Sequence, residues 1–255
     1  MSELTWLPGL PVELITAAYS GAPGNEIASG KMSSAESSSA LVANTFGYFL
    51  GQPAALPALP STERMGWPAV ALALEALVRF PWAGGKHPCL DVLVTTGSSL
   101  IGIESKRYEP FRPHSAADLS DAYWRPVWGP KMAPYELLRD DINAGGTAFV
   151  YLDAVQLIKH AFGLRTAVQE GKVHTGKQPV LFYLHAEPAT WPDGRPIGNG
   201  VHALHRKEVE EFKSRVANSE VLFHSCSYSE LLTSWLGGDN TLERHAAAVR
   251  SAFNP

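Results

Sequence analysis

The chain has 255 residues, enough for one large domain with a real core or two small ones. Hydrophobic residues make up 45% and charged residues 18%, which excludes wholesale disorder. A net charge of -4 argues against a protein that coats nucleic acid by charge alone, but allows an enzyme that gathers positive charge in one cleft. The two cysteines, Cys89 and Cys226, are too few for a disulfide framework or a cysteine-rich zinc site, and read as buried free thiols.

The opening MSELTWLPGLPVEL has neither a basic nor an apolar leader region, so no signal peptide is expected. The longest apolar run, Val70–Leu77, is far short of the ~20 residues of a membrane span. The expected location is cytoplasmic, without a membrane partner.

Residues 1–32 read as an irregular N-terminal segment, rich in glycine and proline. Ser33 to Leu50 reads as a helix. Ser33 and Glu36 form a capping-box pattern, and Leu41, Val42, Phe46 and Phe49 recur at helical spacing. A proline-rich loop follows, and Pro68 is expected to open a second helix through about Phe80. Leu90–Thr96 and Leu100–Arg107 read as a β-hairpin around Gly97-Ser98. Residues 108–146 read as irregular, with a short helix near Asp118–Tyr123. Ala148–Glu170 reads as a helix with Gly171 as its C-cap. Then come a strand at Val180–His185, a charged helix at Val201–Ala217, a strand at Val221–Cys226, and helices over 229–252. This order implies an α/β fold, a mixed central sheet flanked by helices in a single domain. Residues 186–255 form a C-terminal extension of its core.

The hairpin is a geometry problem. A two-residue loop with Gly first suits a type II′ turn. Facing residue numbers then sum to 195, so Asp91 lies across from Glu104. Directly opposed residues share a face, with Cβ atoms roughly 4.5–5.5 Å apart. Lys106, two residues beyond Glu104, projects from that face too. Leu90, Val92, Val94, Ile101 and Ile103 are assigned to the opposite, core face. Two ionised carboxylates this close in a poorly solvated site cost several kcal/mol. A divalent cation removes that cost, and two carboxylates with water and a substrate phosphate are how Mg²⁺ is usually held. Lys106 can orient water or stabilise charge on phosphorus. The competing reading is a plain salt bridge of Lys106 with Glu104 or Asp91 on a solvated sheet face.

The segments Pro88-Cys89-Leu90-Asp91 and Gly102-Ile103-Glu104-Ser105-Lys106 resemble the PD-(D/E)XK nuclease superfamily, over about residues 26–185. The Asp follows proline by three residues rather than one. The resemblance implies a restriction-endonuclease-like core of order α-β-β-β-α-β, with Mg²⁺ (Mn²⁺ able to substitute) at Asp91 and Glu104. It implies hydrolysis of phosphodiester bonds in DNA. The first core strand has no secure place in the sequence. The resemblance also implies a further metal-binding Glu, for which Glu26 and Glu36 are the candidates, and a catalytic Gln on the helix after the hairpin, here Gln156. Lys159 and His160 share that helix face at i+3 and i+4 and are assigned to nucleic acid. Arg107 and Tyr108, which open a basic and aromatic stretch running to Arg139, are assigned there as well. A homodimer is a further expectation. Two alternatives stay open: a non-cleaving nucleic-acid-binding or regulatory protein on the same fold, and an unrelated α/β enzyme in which these residues are structural. His202 and His205, at i and i+3, lack further ligands at a spacing that would mark zinc.

Overall fold

A computed structural model describes residues 6–114, 119–147, 149–170 and 173–255. A five-stranded mixed sheet runs in the order β1 (Ala69–Leu77), β2 (Cys89–Thr96), β3 (Ser99–Lys106), β4 (Gln178–His185), β5 (Leu222–Ser227). The first three strands are antiparallel neighbours, and β3, β4 and β5 are parallel. One face is covered by α1 (Val12–Ser20), α2 (Ser38–Phe46), α6 (Tyr228–Ser234) and α7 (Asn240–Phe253). The other is covered by α3 (Ala133–Asn143), α4 (Ala154–Gln169) and α5 (Asn199–Arg215). With helices on both faces, the β4 run PVLFYLH is buried throughout. Among the described residues, no helix is long and apolar enough to cross a membrane.

Four stretches differ from the sequence expectations. The segment expected as a helix from Pro68 is strand β1. Its alanines and leucines favour a helix intrinsically, but pairing along β2 outweighs that weak preference. It also supplies the first strand that the sequence left unplaced. The helix expected from Ser33 begins at Ser38. Ser37, not Ser33, caps it by accepting from the Ala40 N–H at 3.0 Å, and Gly47–Phe49 finish it as a 3₁₀ turn. Residues 12–20 are helical within the stretch expected to be irregular; Ile15 and Tyr19 anchor that helix in the core. Likewise α3 lies within 108–146, with Tyr135 and Leu138 fully buried. Residues Ala148 and Gly171, the expected start and C-cap of the next helix, lie outside the described residues, as does Asp118 at the start of the short helix expected there. Its described part is a 3₁₀ turn over Asp121–Trp124.

The hairpin loop is Gly97-Ser98, and the pairs Thr95↔Leu100 through Val92↔Ile103 give the expected sum of 195. The turn is not type II′, because neither loop residue has a positive φ. Instead Thr96 Oγ1 accepts from the Ser99 N–H at 2.9 Å, and the Gly97 N–H donates to Gly66 O at 3.0 Å. Val92, Val94, Ile101 and Ile103 pack under α2 as expected, but Leu90 packs on the α4 side. Gly102 makes that possible: a Cβ there would stand 2.6 Å from Leu90 Cδ1 and 3.0 Å from Leu164.

Candidate active site

The strands lie in the sheet in sequence order, which brings four polar residues into one row across it. The β1–β2 pairs Leu74↔Val92 and Ala76↔Leu90 set Glu75 beside Asp91. The β2–β3 register sets Asp91 beside Glu104, and Glu104 pairs with Tyr183 on β4. The β2–β3 ladder ends at Val92↔Ile103. Beyond it, Asp91 Oδ2 accepts from the Ser105 N–H at 2.7 Å. A side chain thus takes a main-chain donor where the strands stop pairing.

Glu104 is the centre of the charge. Its side chain is 3% exposed, Lys106 Nζ sits 2.6 Å from Oε1, and His160 Nε2 from α4 sits 3.1 Å from Oε2. The His160 contact is one of proximity, since neither ring nitrogen has an aligned hydrogen-bond partner. Burial alone would raise the Glu104 carboxyl, but the Lys106 ammonium and the His160 ring outweigh it and hold it at about 2. Lys106 would be lowered by burial, yet Glu104 and Asp91 hold it above its ordinary value. Asp91 goes the other way. It keeps partial solvent access but is ringed by protein. Burial first, then the Glu104 charge, push its carboxyl well above the usual range, against the pull of Lys106 and the Ser105 N–H. Two carboxylates in one site, driven apart in acidity, mark a place short of positive charge.

Glu75 is a site residue that sequence reasoning missed, because its segment read as helix. It sits on β1 with φ +50, and the Cys89 thiol donates to its Oε2 at 3.6 Å. Burial raises its carboxyl, and the charges of Glu26 and Glu104 add to that rise. An acid inside the apolar run Ala69–Leu77 was the available signal.

The other expected residues fall into two groups. Gln156, Lys159 and His160 line one cleft of about 420 Å³ together with Cys89. His160 is buried against Glu104 rather than offered to a ligand, while Gln156 and Lys159 are half-buried. Glu26 and Glu36 line a second cleft, together with Ser38, Glu109 and Arg112. Glu36 is held by Arg112 at 2.7 Å, and Glu26 lies 3.6 Å from Lys31. Of the two, Glu26 is the one whose charge reaches Glu75. Arg107 is spent on structure: its guanidinium donates to Ala35 O at 2.6 Å and Phe253 O at 2.7 Å. Tyr108 is buried and stacks on Trp191 at 5.5 Å. Most of the basic and aromatic stretch is core, with Trp128 and Tyr135 fully buried.

α4 is seated by a buried acid. The Glu208 carboxylate of α5 accepts the N–H groups of Val150, Tyr151 and Leu152 at 2.9, 2.8 and 2.8 Å. Asp153 then caps α4 by accepting from Gln156 N at 2.9 Å. His202 and His205 pack with Phe111, Tyr183 and His185, and burial lowers His205 to about 3, so its ring is neutral. Among the described residues, no three His, Cys, Asp or Glu side chains are gathered as a ready-made metal cage.

No family model, curated protein or solved structure matches the chain.

Proposed function

We propose that the chain is a Mg²⁺-dependent nuclease of the PD-(D/E)XK kind, with a restriction-endonuclease-like core, hydrolysing phosphodiester bonds in DNA. The observation that carries this reading is the set of Asp91, Glu104 and Lys106, gathered around a buried Glu104 where β2 and β3 stop pairing. The element order supports it. The helix α2, the meander β1-β2-β3, the helix α4 and the parallel strand β4 follow the α-β-β-β-α-β order that the resemblance implies.

The donor set fits a hard divalent cation. Asp91 and Glu104 offer carboxylate oxygens, and burial together with the Glu104 charge holds the Asp91 carboxyl above its ordinary range. Mg²⁺ needs few protein ligands, since it keeps several waters and takes substrate phosphate oxygens. Such an ion supplies Lewis-acid polarisation of the phosphate and makes water a stronger acid. Lys106 holds a fixed positive charge for the negative charge that grows on phosphorus. His160 steadies Glu104 from the opposite side, so the carboxylate keeps its ionised form.

A second reading rests on one observation. Both Glu104 oxygens already face basic side chains, Lys106 and His160. A non-cleaving nucleic-acid-binding protein on this fold would carry the same contacts as structure. Cleavage separates the two. Linear, nicked and single-stranded DNA incubated with Mg²⁺ or Mn²⁺ should be cut by the wild-type chain and not by Glu104→Ala. If neither protein cuts any form, the nuclease reading fails.

A further inference from the structure

The cleft beside the carboxylates has a wall that the site does not use. It is formed by Lys86 and His87 from the loop before β2, by Lys159 and Gln156 from α4, and by Tyr123. His87 is fixed in place: its Nδ1 accepts the Phe80 N–H at 3.0 Å. A ring nitrogen that accepts cannot carry the proton, so Nε2 is the donor of the neutral ring. Lys159 Nζ stands 5.8 Å from the centre of the Tyr123 ring, within cation–π range. Lys86 is exposed, and Gly84 and Gly85, both with positive φ, let its loop turn there. Asp153, an acid in this wall, is already engaged in capping α4. The wall therefore presents two ammonium groups and an imidazole N–H, beside the Asp153 carboxylate and Tyr123, a ring buried but for the part that lines the cleft.

Its size narrows the ligand. About 420 Å³ is a small-molecule pocket, with room for a nucleotide rather than a double helix. Cationic groups that track a phosphate, beside an aromatic ring that meets a base, are the means by which single strands are held without sequence preference. We propose that this cleft is a subsite for one nucleotide of a single nucleic-acid strand, its phosphate on Lys86, Lys159 and the His87 Nε2–H. This rests on the nuclease reading for its biological sense, because His160 joins the cleft to Glu104. It deepens that reading by making one strand, or a frayed end, the form of DNA that reaches the carboxylates.

The test is binding without cleavage. Fluorescence anisotropy of a labelled oligothymidylate and of a duplex of equal length is followed in EDTA, across a salt series. The wild-type chain should bind the single strand more tightly than the duplex. The double variant Lys86→Ala/Lys159→Ala should lose at least about tenfold in single-strand affinity, and its salt slope should fall by about 1.4, the share of two phosphate contacts. The double variant Lys86→Arg/Lys159→Arg should retain both, and far-ultraviolet circular dichroism should be the same for all three proteins. Equal single-strand binding by the wild-type and alanine proteins, a wild-type preference for duplex, or no binding at all would overturn the proposal. The two readings fail separately. Lysine-dependent binding by a protein that cuts nothing sinks the nuclease and leaves the subsite. Cleavage with lysine-independent binding does the reverse.

Discussion

The two ends of the β2–β3 hairpin use the same strands in opposite ways. At the turn, the main-chain groups around Gly97-Ser98 find close neutral or lysine partners. Thr96 accepts from Ser99, Lys177 donates to Thr96 O at 2.6 Å and Gly97 O at 3.1 Å, and the Gln178 N–H donates to Ser98 O. At the far end the ladder has stopped, and ionisable groups stand in for it. Asp91, Glu104, Lys106 and His160 answer mainly to one another, with a raised acid and an unaligned imidazole left over. The turn end is arranged for stability. The open end carries buried charge that a hydrophobic replacement would avoid. Residues that break local rules in this way are expected where a protein works rather than where it merely folds.

The strongest way to break this contrast is Lys106→Ala. Removing one partner of a buried pair leaves Glu104 uncompensated, a loss of about 3–5 kcal/mol in unfolding free energy. If the open end is catalytic, cleavage should also fall by ~10²–10³, while Mg²⁺ binding persists because an ammonium is not a metal ligand. Denaturant unfolding and cleavage on the same preparation decide between the readings. A destabilised but fully active protein would make the open end structural.

Gly102→Ala sharpens the comparison at the middle of the hairpin. The added methyl would meet Leu90 Cδ1 at 2.6 Å and Leu164 at 3.0 Å, pushing on the α4 side. Overpacking of this kind typically costs about 1–3 kcal/mol. The free energy of urea unfolding should drop by that measure, with a lower midpoint, and an unchanged midpoint would mean that Leu90 does not fill the space over Gly102.

Lys177→Met tests the turn. Its ammonium is partly exposed and its bonds go to main-chain carbonyls, so the loss should stay below about 1 kcal/mol, with cleavage unchanged. A large fall in activity would erase the distinction between the two ends.

The contrast also explains what could be read in the sequence. The hairpin was legible because a two-residue loop leaves no freedom of register, and Asp91 and Glu104 follow from it by counting. The strand β4 was legible because a short run such as VLFYL has no charged residue to give a helix its outer face. The strand β1 was not, since its alternating alanines and leucines suit a helix equally well and its identity is decided by Cys89–Thr96 beside it. Glu75 went unseen with it. The polar stripe of Gln156, Lys159 and His160 was legible at helical spacing. That His160 turns inward to Glu104 is a matter of how α4 is seated, and the seat is Glu208, about fifty residues further along the chain. No local pattern carries that distance.

The central claim is that the open end lacks a cation, and Mg²⁺ titration of thermal unfolding tests it most directly. Asp91 has a carboxyl raised by burial, so the folded state binds its proton more tightly than the unfolded one. Its contribution to stability is present at low pH and is lost as pH rises from the ordinary carboxylate range through the raised folded value. Asp91→Asn removes that loss. Metal-free at pH 7, the variant should unfold at a higher temperature than the wild-type chain. Adding Mg²⁺ should then stabilise the wild-type chain, by about 2.7 kcal/mol at a hundredfold excess over its dissociation constant, and leave the variant unmoved. A wild-type chain indifferent to Mg²⁺, together with an Asp91→Asn protein that melts lower in its absence, would contradict the account.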